Sequence, residues 1–128
     1  DFLAWHPTCH HTDSKMFELL DVFLETIDQE RYVEPWLYYL WGHAYEFDSY
    51  NQWNEIERFL KTVGNREEIW YATNGEICEY INAVKLLVYS ATGDYIYNPS
   101  CIDVWMQVDG KAYEIKAGET IEIEYEHR

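Results

Sequence analysis

The sequence is short of basic residues, of glycine and proline, and of paired cysteines, and each shortage removes a class of protein. Nine Lys and Arg stand against 24 Asp and Glu, giving a formal charge of −15. Such a surface repels phosphate backbones and anionic lipid, so neither nucleic acid nor a membrane is expected as a partner. Six Gly and three Pro form no linker and no Gly-rich phosphate loop. Cys9, Cys78 and Cys101 are odd in number and widely spaced. No disulfide framework is expected from them, and a reducing, cytoplasmic setting is favoured. No apolar run approaches the ~20 residues that span a bilayer. No basic n-region leading into an apolar h-region follows Asp1, so no secretory leader is expected there. Ser14, Ser49, Ser90 and Ser100 lack the setting of a nucleophile elbow.

Apolar and aromatic residues, by contrast, are plentiful. A hydrophobic content of 48% over 128 residues excludes disorder and suffices for a real core. Six Trp, twelve Tyr and five Phe make 18% of the chain, more than such a core requires. Aromatic faces combine large contact area with a polar tip, which suits a wet binding surface. Sugars are one matching ligand class, because their C–H faces stack on rings. A core left open on one side shows the same excess.

The periodicities predict strands alternating with helices. Asp1–Trp5 reads as a short strand, followed by a polar loop over His6–Thr12. Met16, Leu19, Leu20, Phe23, Leu24 and Ile27 recur at helical spacing within Asp13–Asp28, with Thr12 or Asp13 as cap. Trp36–Trp41 is a near-continuous apolar run, as expected for a strand buried on both faces. Ser49 and Gln52 suggest a capping box for a second helix, striped by Trp53, Ile56, Phe59, Leu60 and Val63 and stopped by Gly64. Ile69–Ala72 reads as another strand, and Thr73 with Glu76 as the capping box of a third helix. Strands joined by such helices must run parallel. From Val88 the signals turn antiparallel. Asp109-Gly110 sits between two alternating runs as a hairpin turn, and Ala117-Gly118 turns the chain again.

In parallel α/β architectures ligands bind beyond the carboxyl ends of the strands. That places the loops after Trp5 and Trp41 and the turn at Thr73-Asn74 in view. Gly42 lets the backbone leave its strand sharply and presents His43, an imidazole suited to proton transfer near neutral pH. Tyr45, Glu46 and Asp48 stand close enough to orient it, or to cap the next helix. His6, Cys9, His10 and His11 form the densest group of ligand-type residues, and zinc accepts His and Cys together. The alternative is a polar loop that caps the helix at Asp13, since adjacent histidines seldom aim at one ion.

Three blocks carry a resemblance: Trp5–His11, Leu37–Phe47 and Ile69–Asn74. Together they resemble the C-terminal half of bacterial polysaccharide deacetylase-like proteins, over about Asp1–Asp103. The resemblance implies a distorted (β/α) barrel that removes N- or O-acetyl groups from carbohydrate, usually with a divalent, zinc-like metal. In that family the ion polarises the acetyl carbonyl, an Asp acts as base and a late His protonates the leaving group. A Leu precedes that His by three residues, so the resemblance casts His43 as general acid and Leu40 as the wall against the acetyl methyl. Trp5 matches a pocket-lining aromatic, although Ala4 stands where the family has an acidic residue. Trp41, Tyr45 and Asn74 join the substrate-binding set. The family's Asp-Asp-Gly loop does not occur, and its metal-binding His pair belongs upstream. His6 and His10 share the pair's spacing but lie beside the His43 strand, with Pro7 in place of a hydroxyl residue.

The expected fold is therefore α/β: a partial (β/α)-barrel-like parallel sheet with three helices over residues 1–87, then an antiparallel extension over 88–128. No cofactor is expected in this chain, and the isolated chain is expected to be inactive. Its partners are a carbohydrate substrate, the missing N-terminal half, or a second copy that covers the open face in a homodimer. The rival expectation is a non-catalytic carbohydrate- or protein-binding module using Trp36, Trp41, Tyr45, Trp70 and Tyr71.

Overall fold

A computed structural model of the chain describes residues 5–28 and 35–125. The chain divides between Trp70 and Tyr71 into two units. The protein is a mixed α/β chain with small sheets, parallel in the first unit and antiparallel in the second. Among the described residues no helix is long and apolar enough to cross a membrane, and no sheet closes into a barrel.

The N-terminal unit holds β1 (Cys9–His10), α1 (Met16–Asp28), β2 (Leu40–Trp41), α2 (Ala44–Ser49) and α3 (Trp53–Val63). As the crossover rule requires, β1 and β2 run parallel, pairing Cys9 with Leu40 and His10 with Trp41. Backbone bonds from Thr8 N to Tyr39 O (2.8 Å) and from His11 N to Trp41 O (3.0 Å) extend the ladder at each end. The core is Cys9, Met16, Leu20 and Phe59, with Phe17, Phe23, Tyr38, Leu40 and Ile56 packed on it. The Tyr38 hydroxyl donates to Met16 O (2.7 Å) and lies 3.3 Å from the Cys9 thiol, so one phenol ties β1 to α1.

Several expectations are corrected here. The first strand is Cys9–His10, inside the supposed loop; the expected strand at Asp1–Trp5 falls mostly outside the described residues, and Trp5 itself is not in a strand. Only Leu40 and Trp41 of the apolar run form a strand, and the run is not buried on both faces. Trp36, Leu37 and Trp41 are 58%, 49% and 45% exposed, because a two-stranded sheet offers too little surface to cover them. Ser49 ends α2 and does not open a helix; Gln52 is itself the N-cap of α3. Ile69–Ala72 forms no strand.

The C-terminal unit holds α4 (Asn74–Leu86), β3 (Val88–Tyr89), β4 (Tyr95–Tyr97), β5 (Val104–Val108), β6 (Lys111–Ile115) and β7 (Thr120–Glu122). Its strands are antiparallel throughout, in a sheet ordered β3-β4-β7 and a β5-β6 hairpin. Asp109 and Gly110 both take positive φ (49° and 81°), the backbone a two-residue hairpin turn demands. The capping box at Thr73 and Glu76 is present, with Thr73 N donating to the Glu76 carboxylate at 2.7 Å. Ala83 and Leu87 join Ile96, Val104, Ile115 and Ile123 in one core. The expected third helix, α4, thus packs with the strands that follow it, in the unit that starts at Tyr71.

Asn98 fixes this unit internally. Wholly buried, it donates from Nδ2 to Ile102 O (2.8 Å) and Ile115 O (2.9 Å), and its Oδ1 accepts from Ser100 N (3.0 Å) and Ser100 Oγ (2.7 Å).

Candidate functional site

The parallel pair of strands decides the site. Register places His10 beside Trp41, so the chain leaves β1 through His11 and leaves β2 through Gly42 and His43 at the same end of the sheet. α2 then begins directly after His43 and returns Glu46 towards its own start. The His43 N–H donates to Glu46 Oε2 at 2.8 Å, as the return half of a capping box does.

Three imidazoles converge on that same oxygen. His11 Nε2 lies 3.0 Å from Glu46 Oε2, His43 Nδ1 3.2 Å and His10 Nε2 3.3 Å. His11 is buried at 5% exposure and its Nδ1 faces Gln52 Oε1 at 3.0 Å, so α2 and α3 both hold its ring. His10 Nδ1 faces Thr12 Oγ1 at 2.8 Å. The hydrogen bond from His11, followed by those from the His43 backbone and ring and the charge of His10, holds the Glu46 carboxyl at about 2 against partial burial. The carboxylate is therefore ionised across the physiological range.

Gly42 permits the convergence. Its φ of +151° suits glycine, and a Cβ built there would stand 2.0 Å from His11 Cδ2. A cleft of about 290 Å³ lies beside the cluster, lined by His10, Thr12, Glu46, Tyr50 and Gln52. His43 is exposed, and among the described residues its Nε2 has no hydrogen-bond partner. Its ring lies 5.3 Å from that of Tyr45 and 6.1 Å from that of Trp41, both exposed.

No family model, curated protein or solved structure matches the chain.

The structure brings together His43, Trp41 and Tyr45 from the expected substrate and catalytic set. Leu40 packs against the core under α1 and α3. Trp5 is half-buried at the start of the described chain, and Asn74 opens α4 in the other unit. The His6–Cys9–His10–His11 group does not act as one set: Cys9 is buried against Tyr38, and His6 is exposed outside the cluster. His10 and His11, despite adjacency, do aim at one atom, because Glu46 sits where both rings reach it. The local sequence around Gln52 signals only a helix cap, and its role as a partner of His11 carries no sequence signal. Glu46 carried one, the His-x-x-Glu spacing at the start of a helix.

Proposed function

We propose that the chain supplies the acid wall of a carbohydrate deacetylase site, with His43 as proton donor and Glu46 as the group that orients it. The observation that carries this reading is the 3.2 Å contact between His43 Nδ1 and Glu46 Oε2, with Nε2 left to the solvent side. A carboxylate on Nδ1 fixes the orientation of the ring and turns Nε2 outward, where its N–H is available to a leaving group. In the step assigned to it, water adds to the acetyl carbonyl and the carbon–nitrogen or carbon–oxygen bond breaks. The departing amine or hydroxyl takes the proton from His43 Nε2. Trp41 and Tyr45 flank the donor and offer ring faces on which a sugar stacks.

The barrel-like architecture belongs to the same proposal. A parallel strand pair joined through a helix is the unit that such a barrel repeats. The metal set of the resembled family does not fit this chain, since His6 stays apart from the His10 cluster and no Asp-Asp-Gly loop occurs. The base and the metal wall belong to a missing N-terminal half. The chain alone is accordingly inactive on acetylated sugar, and the missing half or a second copy covers its exposed aromatic face.

The test is a titration of the chain, kept in chelator, with an acetylated chito-oligosaccharide followed by Trp fluorescence. Binding that weakens about tenfold in His43→Ala, with only trace acetate released, is the expected result. Binding unchanged by His43→Ala would favour the non-catalytic stacking module, which the exposed Trp41 and Tyr45 also suit. No sugar binding at all defeats both readings. A robust acetate yield abolished by His43→Ala would overturn the assignment of the remaining catalytic groups to another half.

A further inference from the structure

The crowding around Glu46 exceeds what hydrogen bonding alone accommodates. Four nitrogens, from His11, His10, and the ring and backbone of His43, lie within 3.3 Å of Oε2. A carboxylate oxygen offers about two lone-pair directions. Oε1, meanwhile, has no partner among the described residues.

We infer that His10 Nε2, His43 Nδ1 and the Glu46 carboxylate form a binding site for a zinc-class divalent cation. Their ligand atoms all lie within 4.8 Å of one another. Metal–nitrogen and metal–oxygen bonds of about 2.0–2.1 Å set neighbouring ligands of a tetrahedral ion about 3.3 Å apart. The His10 and His43 nitrogens stand 3.3 and 3.2 Å from Glu46 Oε2. Two imidazoles and one carboxylate are a ligand set zinc favours, and it leaves a fourth position open. His10 and Glu46 line the adjoining cleft, so a small ligand or water has access to that position.

The surroundings match what a metal site needs beyond its ligands. The His10 ring is fixed with Nε2 towards Glu46, because the Thr12 N–H donates to its Nδ1 at 3.2 Å and Thr12 Oγ1 stands 2.8 Å from the same nitrogen. A ligating carboxylate is itself hydrogen-bonded, and Glu46 is held by the buried His11 ring at 3.0 Å and by the His43 N–H at 2.8 Å. His11 is therefore a positioning residue, locked in turn by Gln52. The cation replaces the ring protons that otherwise face Glu46, and it leaves His43 Nε2 outward, as Glu46 alone does. The site stands whether or not the deacetylase reading holds.

The experiment is a zinc titration of the whole, metal-stripped chain by calorimetry, repeated with cobalt(II) under visible absorption. One-to-one binding is expected. It should weaken at least tenfold in His43→Ala and in Glu46→Gln and stay unchanged in His6→Ala, with cobalt bands that lack a thiolate charge-transfer component. His43 is exposed, so its truncation leaves the fold intact, which far-ultraviolet circular dichroism checks. Absence of binding, binding indifferent to His43→Ala, or a thiolate band would each overturn the inference. Because the sugar titration is run in chelator, its failure and the failure of this site are separate results.

Discussion

Replacing Gly42 by alanine tests the geometry of the site most directly. The new Cβ meets the His11 ring at 2.0 Å from Cδ2 and 2.7 Å from Nε2, and stands 3.2 Å from His10 Nε2. His11 cannot retreat cheaply, being buried and held at 3.0 Å on one side by Gln52 and at 3.0 Å on the other by Glu46. Two costs add. A φ of +151° strains any residue with a Cβ by about 1–3 kcal/mol, and forcing a methyl into a filled space costs a further ~1–3 kcal/mol. A loss near 4 kcal/mol in a unit of this size lowers the thermal midpoint by roughly 15–30 °C. Thermal unfolding by circular dichroism measures the total. Hydrogen exchange locates it, with protection lost at the Thr8 and His11 amides and retained across β5 and β6. The double variant Gly42→Ala with His11→Ala should recover a large part of the loss, since the clash partner is gone. A single variant melting within about 2 °C of the native chain, with unchanged exchange at His11, would refute the argument.

Asn98→Ala removes the side-chain donor of the Ile115 carbonyl and the acceptor of Ser100 N, whereas Ile102 O keeps the Ser100 hydroxyl at 3.0 Å. At about 1–3 kcal/mol for each buried orphan, urea unfolding of the C-terminal unit should show a loss near 3 kcal/mol; a loss below about 1 kcal/mol would mean that water replaces the amide. Thr73 holds the Glu76 carboxyl below its usual 4.5, first through its backbone N–H and then through its hydroxyl. A depressed carboxylate contributes stability that is present above its unfolded value and lost as pH falls through the folded one. Glu76→Gln should therefore flatten the acid limb of α4 unfolding below about pH 4.5, as followed by circular dichroism, and an unchanged limb would count against the cap.

Three of the four helices among the described residues were legible from a periodic stripe or a cap, whereas the six-residue α2 was not. Met16 to Ile27, Trp53 to Val63 and the Thr73–Glu76 cap announce α1, α3 and α4, and the Asp109-Gly110 pair announces its hairpin. Two-residue strands have no period to read, which is why the sequence around Cys9–His10 signals only a loop. The apolar run before Trp41 misled in the opposite direction, since hydropathy reports what a segment prefers and not how much sheet exists to cover it. Within the site, the placement of His43 followed from Gly42 ending a strand, and Glu46 was within view as a neighbour three residues on. The burial of His11 was not legible. Its partners Gln52 and Glu46 lie 41 and 35 residues away, and no local pattern links them.

The helix that carries Glu46 is only six residues long. A helix of that length does not persist in water by its own propensity, because nucleation costs more than one turn of bonds returns. α2 therefore exists on the strength of what Glu46 and its neighbours grip, and those imidazoles converge only while α2 holds the carboxylate among them. Neither is a scaffold for the other; they form and dissolve as one cooperative unit. Anything that competes for the Glu46 oxygen acts on backbone order as well as on side chains. Occupancy of the site would then be readable in the amide exchange of Ala44–Ser49.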